Sequence, residues 1–274
     1  MLMPGKVHDV QVNDISMVFH GRGESVIALE RVSMHVKTGQ FASIIGPSGC
    51  GKSTLLRLIA DIMKPFAGAI TLGKDSPRTA RQDHALGFVF QSPTLLPWRT
   101  VRQNIELPLD VVGRNSARRS ARSVDELIEL VGLKGFAEAL PHQLSGGMQQ
   151  RVAIARALIL TPDVLLLDEP FGALDEITRQ RMNVEMLRIW AESGTTALLV
   201  THSIGEAIFM SDQVYVMSAR PGRIVSVVDV PLPRPRSFEL MRSEAFFDCV
   251  NRVRDGLFGA EKGKAPAARP AEVY

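Results

Sequence analysis

The sequence predicts an α/β fold, a largely parallel sheet covered by helices on both faces, and three observations predict it. Short runs of almost unbroken apolar residues recur along the chain ("FASII", "VLLLD", "TALLVT", "QVYVM"), the composition of strands buried on both sides. Between these runs the apolar positions change to helical spacing. Three of the runs also stop at residues able to do chemistry, a glycine loop, a pair of carboxylates and a histidine, at the edge where open α/β sheets place their ligands.

Taken in order, "QFASIIG" (40–46) reads as a buried strand that stops at Gly46. After Lys52, the residues Leu55, Leu58, Ile59 and Ile62 fall at i, i+3, i+4 and i+7 and predict one buried helix face. "ALGFVFQ" (85–91) is the next strand. From Ser92 to about Leu160 the pattern is helical, broken by Pro93, Pro97, Pro108 and Pro141. This predicts a helical subdomain (93–159) inserted into a sheet core formed by 8–92 and 160–236. Strand character returns at 163–169, 196–202 and 213–218, each reached through a helix. The prolines of "VPLPRPRS" (230–237) exclude a helix there, a last helix is expected over 237–258, and 259–274 is expected to be a disordered tail.

The 274 residues and 45% hydrophobic content suffice for a sizeable core. Basic residues (32) are interspersed with acidic ones (29) rather than gathered in a stripe, which argues against nucleic acid as a partner. The opening lacks the apolar segment of a signal peptide, and no run reaches the ~18–20 residues of a membrane span, so the protein is expected in the cytosol. Cys50 and Cys249 cannot build a disulfide framework or a paired-cysteine zinc site, and both are expected as reduced thiols.

"GPSGCGKST" (46–54) fits G-x-x-x-x-G-K-[ST] with a strand before it and a helix after it. Backbone N–H groups can wrap a phosphate only where side chains leave room, and a helix N-terminus adds partial positive charge. Gly46, Pro47, Ser48, Gly49, Cys50, Gly51, Lys52, Ser53 and Thr54 are therefore candidate phosphate-binding residues. Lys52 is expected to neutralise β- and γ-phosphates and Ser53 to bind Mg²⁺. "VLLLDE" (164–169) sets Asp168 and Glu169 at a strand end, where Asp168 is expected in the Mg²⁺ shell and Glu169 as the base that takes a proton from the attacking water. The plainer alternatives are a glycine-rich strand-helix turn and a strand ending in surface acids.

"LSGGMQQRVAIARAL" (144–158) is a second glycine turn opening a helix. Ser145, Gly146 and Gly147 leave N–H groups free to face an anion, while Met148, Val152, Ala155 and Ile159 bury the opposite face. A helix cap made by Ser145 alone is the plainer reading.

Together these residues resemble the nucleotide-binding subunit of the ATP-binding cassette (ABC) family. "LSGGMQQR" is similar to its signature, and "GPSGCGKST", Gln91 in "GFVFQ", "VLLLDEP", "FGALD" and His202 in "LLVTHS" follow in the family's order over about residues 8–236. The resemblance implies a P-loop NTPase sheet core with an inserted helical subdomain, ATP and Mg²⁺ as ligands, and a head-to-tail pair in which the signature of one copy closes over the ATP held by the other. It further implies that Phe19 stacks on adenine and that Gln91 reaches the Mg²⁺ and the attacking water. Asp175 is implied to cross the dimer interface, and His202 to contact the γ-phosphate and hold the water geometry of Glu169.

Some positions depart from the family. Ser203 stands where Asp is common, though Ser203 to Glu206 itself reads as a capping box. Gln40 stands in place of Glu, Asp61 where Gly is frequent, and Met148 in place of Gln. "TLLPWRTVRQNIELPL", "ARPGRIV" and "VPLPRPRS" look like the branch importing nitrate, sulfonate, taurine and thiamine precursors.

That branch implies a homodimer or paralogue pair on the cytoplasmic face of the inner membrane, an integral permease, and an extracytoplasmic substrate-binding protein. A groove near Gln91, Leu95, Leu96 and Trp98 is implied to receive the permease, although Trp98 also reads as a loop anchor. Arg114, Arg118, Arg119 and Arg122 form a basic stripe, open to a lipid-facing reading or to a solvated face. A soluble cassette ATPase or an ATP-dependent assembly switch remain the alternative functions. Cys50 is expected to react with maleimide in the absence of nucleotide.

Overall fold

The computed structural model describes residues 8–20, 25–112, 122–172 and 174–262. The chain runs β1 (Val10–His20), β2 (Ser25–Val36), β3 (Phe41–Ile45), α1 (Lys52–Ile59), β4 (Ala67–Leu72), α2 (Pro77–Gln82) and β5 (Leu86–Val89). Next come α3 (Val101–Val112), α4 (Val124–Leu130), a 3-10 turn (Pro141–Gln143) and α5 (Gly146–Leu158). The last part holds β6 (Val164–Asp168), α6 (Glu176–Ser193), β7 (Thr196–Thr201), α7 (Ile204–Met210), β8 (Gln213–Met217), β9 (Ile224–Asp229), a second 3-10 turn (Phe238–Arg242) and α8 (Glu244–Lys262).

Six strands form one sheet in the order β5-β6-β7-β3-β8-β9, parallel except for the edge strand β9. Successive strand side chains point to opposite faces, and here both faces are covered. Phe41 and Ile45 of β3, Leu165 and Leu167 of β6, and Ala197 and Leu199 of β7 join a core with α5, α6 and α7. Their neighbours Ala42, Ile44, Val164, Leu166, Leu198 and Val200 join a second core with α1 and the N-terminal strands. Leu55, Leu56, Leu58 and Ile59 of α1 are all buried. Each such side chain is worth about 1.5–3 kcal/mol, so docking rather than propensity holds this short helix.

A second sheet, antiparallel in the order β2-β1-β4, lies outside the sequence expectation. β1 gives no clean two-residue alternation because its pairing with β2 slips between Val12 and Ile15 and again before Met17, with Asp14 at φ 50°.

Other expectations are corrected. The chain leaves α1 through Asp61, whose φ is 57°, so Ile62 is 52% exposed instead of extending the buried face. That left-handed position also explains why Gly suits this site. Pro108 lies inside α3 and does not break it; α3 buries Val101, Asn104 and Ile105 before the proline, and Leu109 after it packs against the same core. The last helix is split: the first residues form the second 3-10 turn, Ser243 accepts from the Phe246 N–H at 3.2 Å, and α8 then runs to Lys262, beyond the expected end at 258. Met148 is only half-buried, whereas Val152, Ala155 and Ile159 are buried as expected. The expected tail beyond 262 and Arg114, Arg118 and Arg119 lie outside the described residues; Arg122 pairs with Glu192 at 3.4 Å.

α3, α4 and α5 lie between β5 and β6 and share the first core with the sheet through Val101, Ile105, Leu127 and Ile154. Among the described residues no helix is long and apolar enough to cross a membrane.

Candidate active site

The loop after β3 turns twice through left-handed glycines, Gly49 (φ 73°) and Gly51 (φ 101°), before α1 begins. A β-carbon on Gly51 would come within 2.6 Å of Leu29 and one on Gly46 within 2.8 Å of the Met217 carbonyl, so glycine is required for the loop to lie this close to its neighbours. Lys52 is folded into the loop, donating to the carbonyls of Gly46 (2.8 Å) and Pro47 (3.0 Å). Its ammonium is thus placed at the start of a helix whose first N–H groups lack intrahelical acceptors.

A cleft of about 580 Å³ opens on this loop, lined by Phe19, Ser48, Gly49, Lys52, Gln91 and Glu169 among others. Gly51, Ser53 and Thr54 also face it. Phe19, one residue before the end of β1, is 42% exposed where it lines the cleft. On the cleft floor Ser53 donates to Asp168 Oδ1 at 2.7 Å. Burial pushes the Asp168 carboxyl up from its ordinary range, against the pull of the Ser53 hydrogen bond and the Arg57 charge. A hydroxyl and a carboxylate short of positive charge suit a hard cation that also takes phosphate oxygens. No cluster of three His, Cys, Asp or Glu that could hold a metal occurs among the described residues, so the fit to Mg²⁺ rests on this pair together with phosphate.

Glu169 follows β6 with φ 44°, held there by its N–H to the Val200 carbonyl (2.9 Å) and by its own carbonyl, which accepts from Gly172 (3.1 Å). Its carboxylate meets His202 Nδ1 at 3.1 Å, at the end of β7.

The signature lies elsewhere. Ser145 caps α5, accepting from the Met148 N–H at 3.3 Å, and Ser145 and Gly146 are exposed. Space around Gly146 is open, and Gly147 packs toward Leu174 and Thr178. Asp175 caps α6 through the Thr178 N–H at 3.0 Å. Neither the signature residues nor Asp175 lines the Lys52 cleft. The signature helix is nevertheless tied to the Gln91 segment, because the buried Gln150 donates to the Phe90 carbonyl at 3.2 Å.

Three expectations change. Cys50 is buried, and burial pushes its thiol pKa up, so ready maleimide labelling is not expected. Trp98 is 72% exposed and therefore does not anchor its loop. Ser203 accepts from the Glu206 N–H (3.3 Å), but the Glu206 carboxylate takes the Thr201 hydroxyl instead of returning to the cap, so the capping box is half formed. Arg220, which lines the cleft, is not singled out as a site residue by the sequence, because nothing in its spacing marks it.

A family model for the ABC transporter matches residues 29–172. The chain belongs to that family. This cassette is 41% identical over 264 residues to the nitrate import ATP-binding protein NrtD of Synechocystis sp., covering 94% of this chain and 98% of that one. It is 43% identical over 244 residues to the aliphatic sulfonates import ATP-binding protein SsuB of Bacillus cereus, covering 89% and 94%. Among solved structures, the dimeric post-hydrolysis state of the ATP-binding cassette MJ0796 bound to ADP and Pi superposes with a TM-score of 0.71 at 32% identity, over 82% of this chain and all of that one. The cassette is accordingly an ATP-binding ATPase with a P-loop core.

Proposed function

We propose that this cassette is the ATP-hydrolysing subunit of an importer for a small solute of the nitrate, sulfonate, taurine or thiamine-precursor type. It is peripheral, seated on the cytoplasmic face of the inner membrane against a separate permease that an extracytoplasmic binding protein supplies. The names of its relatives support the importer class.

The observation that carries the dimer mechanism is the separation of the two phosphate-binding turns. The Lys52 loop lines the cleft, whereas Ser145 and Gly146 face solvent at another helix start. One chain therefore presents half of two sites, and a second copy, head to tail, completes both. Phe19 stacks on adenine, the loop N–H groups and Lys52 hold the phosphates, and Asp175 reaches across the interface.

Ser53, Gln91 and Asp168 would hold Mg²⁺, which would supply positive charge against the phosphates. Glu169 accepts the proton of the attacking water, and His202 fixes the carboxylate and reaches the γ-phosphate. ATP binding favours the closed pair and phosphate loss reopens it, so the permease alternates between two conformations.

The test is Glu169→Gln on a sizing column. With ATP and Mg²⁺ it should elute as a dimer and hydrolyse at least about a hundredfold more slowly than wild type. A variant that stays monomeric at saturating ATP overturns the paired mechanism.

A further inference from the structure

The turn between β8 and β9, "ARPGRI", has no part in the chemistry above. We propose that Arg220 on this turn is a nucleotide-contacting residue that binds the polyphosphate beside Gly49. The inference rests on the reading of the cleft as the ATP site.

Gly222 seats the turn. Its N–H donates to the Ala28 carbonyl at 3.0 Å, and its own carbonyl accepts from the Glu30 N–H at 3.0 Å. A β-carbon at this position would stand 2.0 Å from the Cys50 carbonyl, so only glycine lets the turn rest on the phosphate loop. Ser218 closes the turn, donating to the Pro221 carbonyl (3.0 Å) and accepting from the Arg223 N–H (3.1 Å). Arg223 pairs with Glu30 on β2 at 2.6 Å. The backbone on either side of Arg220 is thereby fixed to β2 and to the loop.

From this footing Arg220 lines the same cleft as Phe19, Ser48 and Lys52. One of its terminal nitrogens lies 3.1 Å from where a β-carbon of Gly49 would be. Gly49 is left-handed and exposed, so its main chain offers itself to an anion at that point. A guanidinium supplies a planar fork that matches two phosphate oxygens. Lys52 thus has a second cation beside it, brought in by a different strand pair.

The test is nucleotide titration and steady-state ATPase of the full chain as wild type, Arg220→Gln, Arg220→Lys and Lys52→Ala, with melting of each in the absence of nucleotide. Because Arg220 is exposed, the expected effect is moderate: Arg220→Gln should weaken ATP and raise its KM roughly five- to tenfold, with kcat within about twofold. Arg220→Lys should recover part of the loss, and the nucleotide-free melting points should match wild type. Unchanged ATP affinity in Arg220→Gln, with Lys52→Ala impaired, overturns this inference alone. Equal loss of affinity and melting point in the Gln and Lys variants also overturns it, since that marks a brace for the loop. Wild type that fails to bind ATP overturns the cleft reading and this inference with it.

Discussion

Nδ1 of His202 and Oε2 of Glu169 meet at 3.1 Å although the two residues follow different strands, β7 and β6. The meeting is prepared by the main chain. Glu169 is held in a left-handed conformation, a non-glycine strain of about 1–3 kcal/mol, by its hydrogen bonds to Val200 and Gly172. The backbone bends the carboxylate toward the histidine and keeps it at the mouth of the cleft.

From that contact, and on the proposed mechanism in which His202 orients the base while the phosphate loop is untouched, His202→Ala should lower kcat by about a hundredfold while leaving the KM for ATP within about threefold. Adding Glu169→Gln to this variant should cost little more than the Glu169 change alone. Steady-state kinetics of both single variants and the double variant check it, and losses that multiply would show that the two act separately.

Asp168 predicts a trade between stability and function. Burial raises its pKa, so the folded chain holds that proton more firmly than the unfolded chain does. The stability this confers is complete below the unfolded carboxylate value and lost as pH rises through the higher folded value, above which the chain bears the cost of the buried charge. Asp168→Asn keeps an acceptor for the Ser53 hydroxyl and should raise the nucleotide-free melting temperature at pH 7 by roughly 2–4 °C. The gain should shrink toward pH 4, and Mg²⁺ should lose its effect on ATP binding. Melting curves across this pH range decide it; a gain independent of pH would assign the effect to packing.

Ser145 has a structural duty as the cap of α5, and its loss through Ser145→Ala should cost about 1 kcal/mol in denaturant unfolding. If the turn also faces the partner's phosphates, ATPase should fall by at least about tenfold in conditions where the variant is fully folded, with the Kd for ATP of the isolated chain unchanged. Activity that tracks only the folded fraction would reduce Ser145 to a cap.

The parallel sheet was legible because strands buried on both faces, such as "VLLLD" and "TALLVT", are apolar without alternation, and the site in part because the lysine loop and the carboxylate pair are each an unbroken run of sequence. What escaped depends on contacts between distant positions. β1 hides its period behind its bulges at Asp14 and Met17. Pro108 reads as a breaker because sequence does not reveal that core contacts hold α3 on both sides of it. Glu206 reads as a cap partner until the fold brings Thr201 to it. Arg220 enters the cleft only because Gly222 lies against Cys50, a closeness between residues far apart along the chain.

At the far end of α7 from His202, the fully buried Arg236 donates from one nitrogen to the carbonyls of Ile208, Phe209 and Ser211. Ser203 ties the near end. A helix moored in this way cannot slip along its axis without breaking the three bonds of a buried guanidinium. The proline-rich arm after β9 thus holds the far end of the helix that begins beside the histidine.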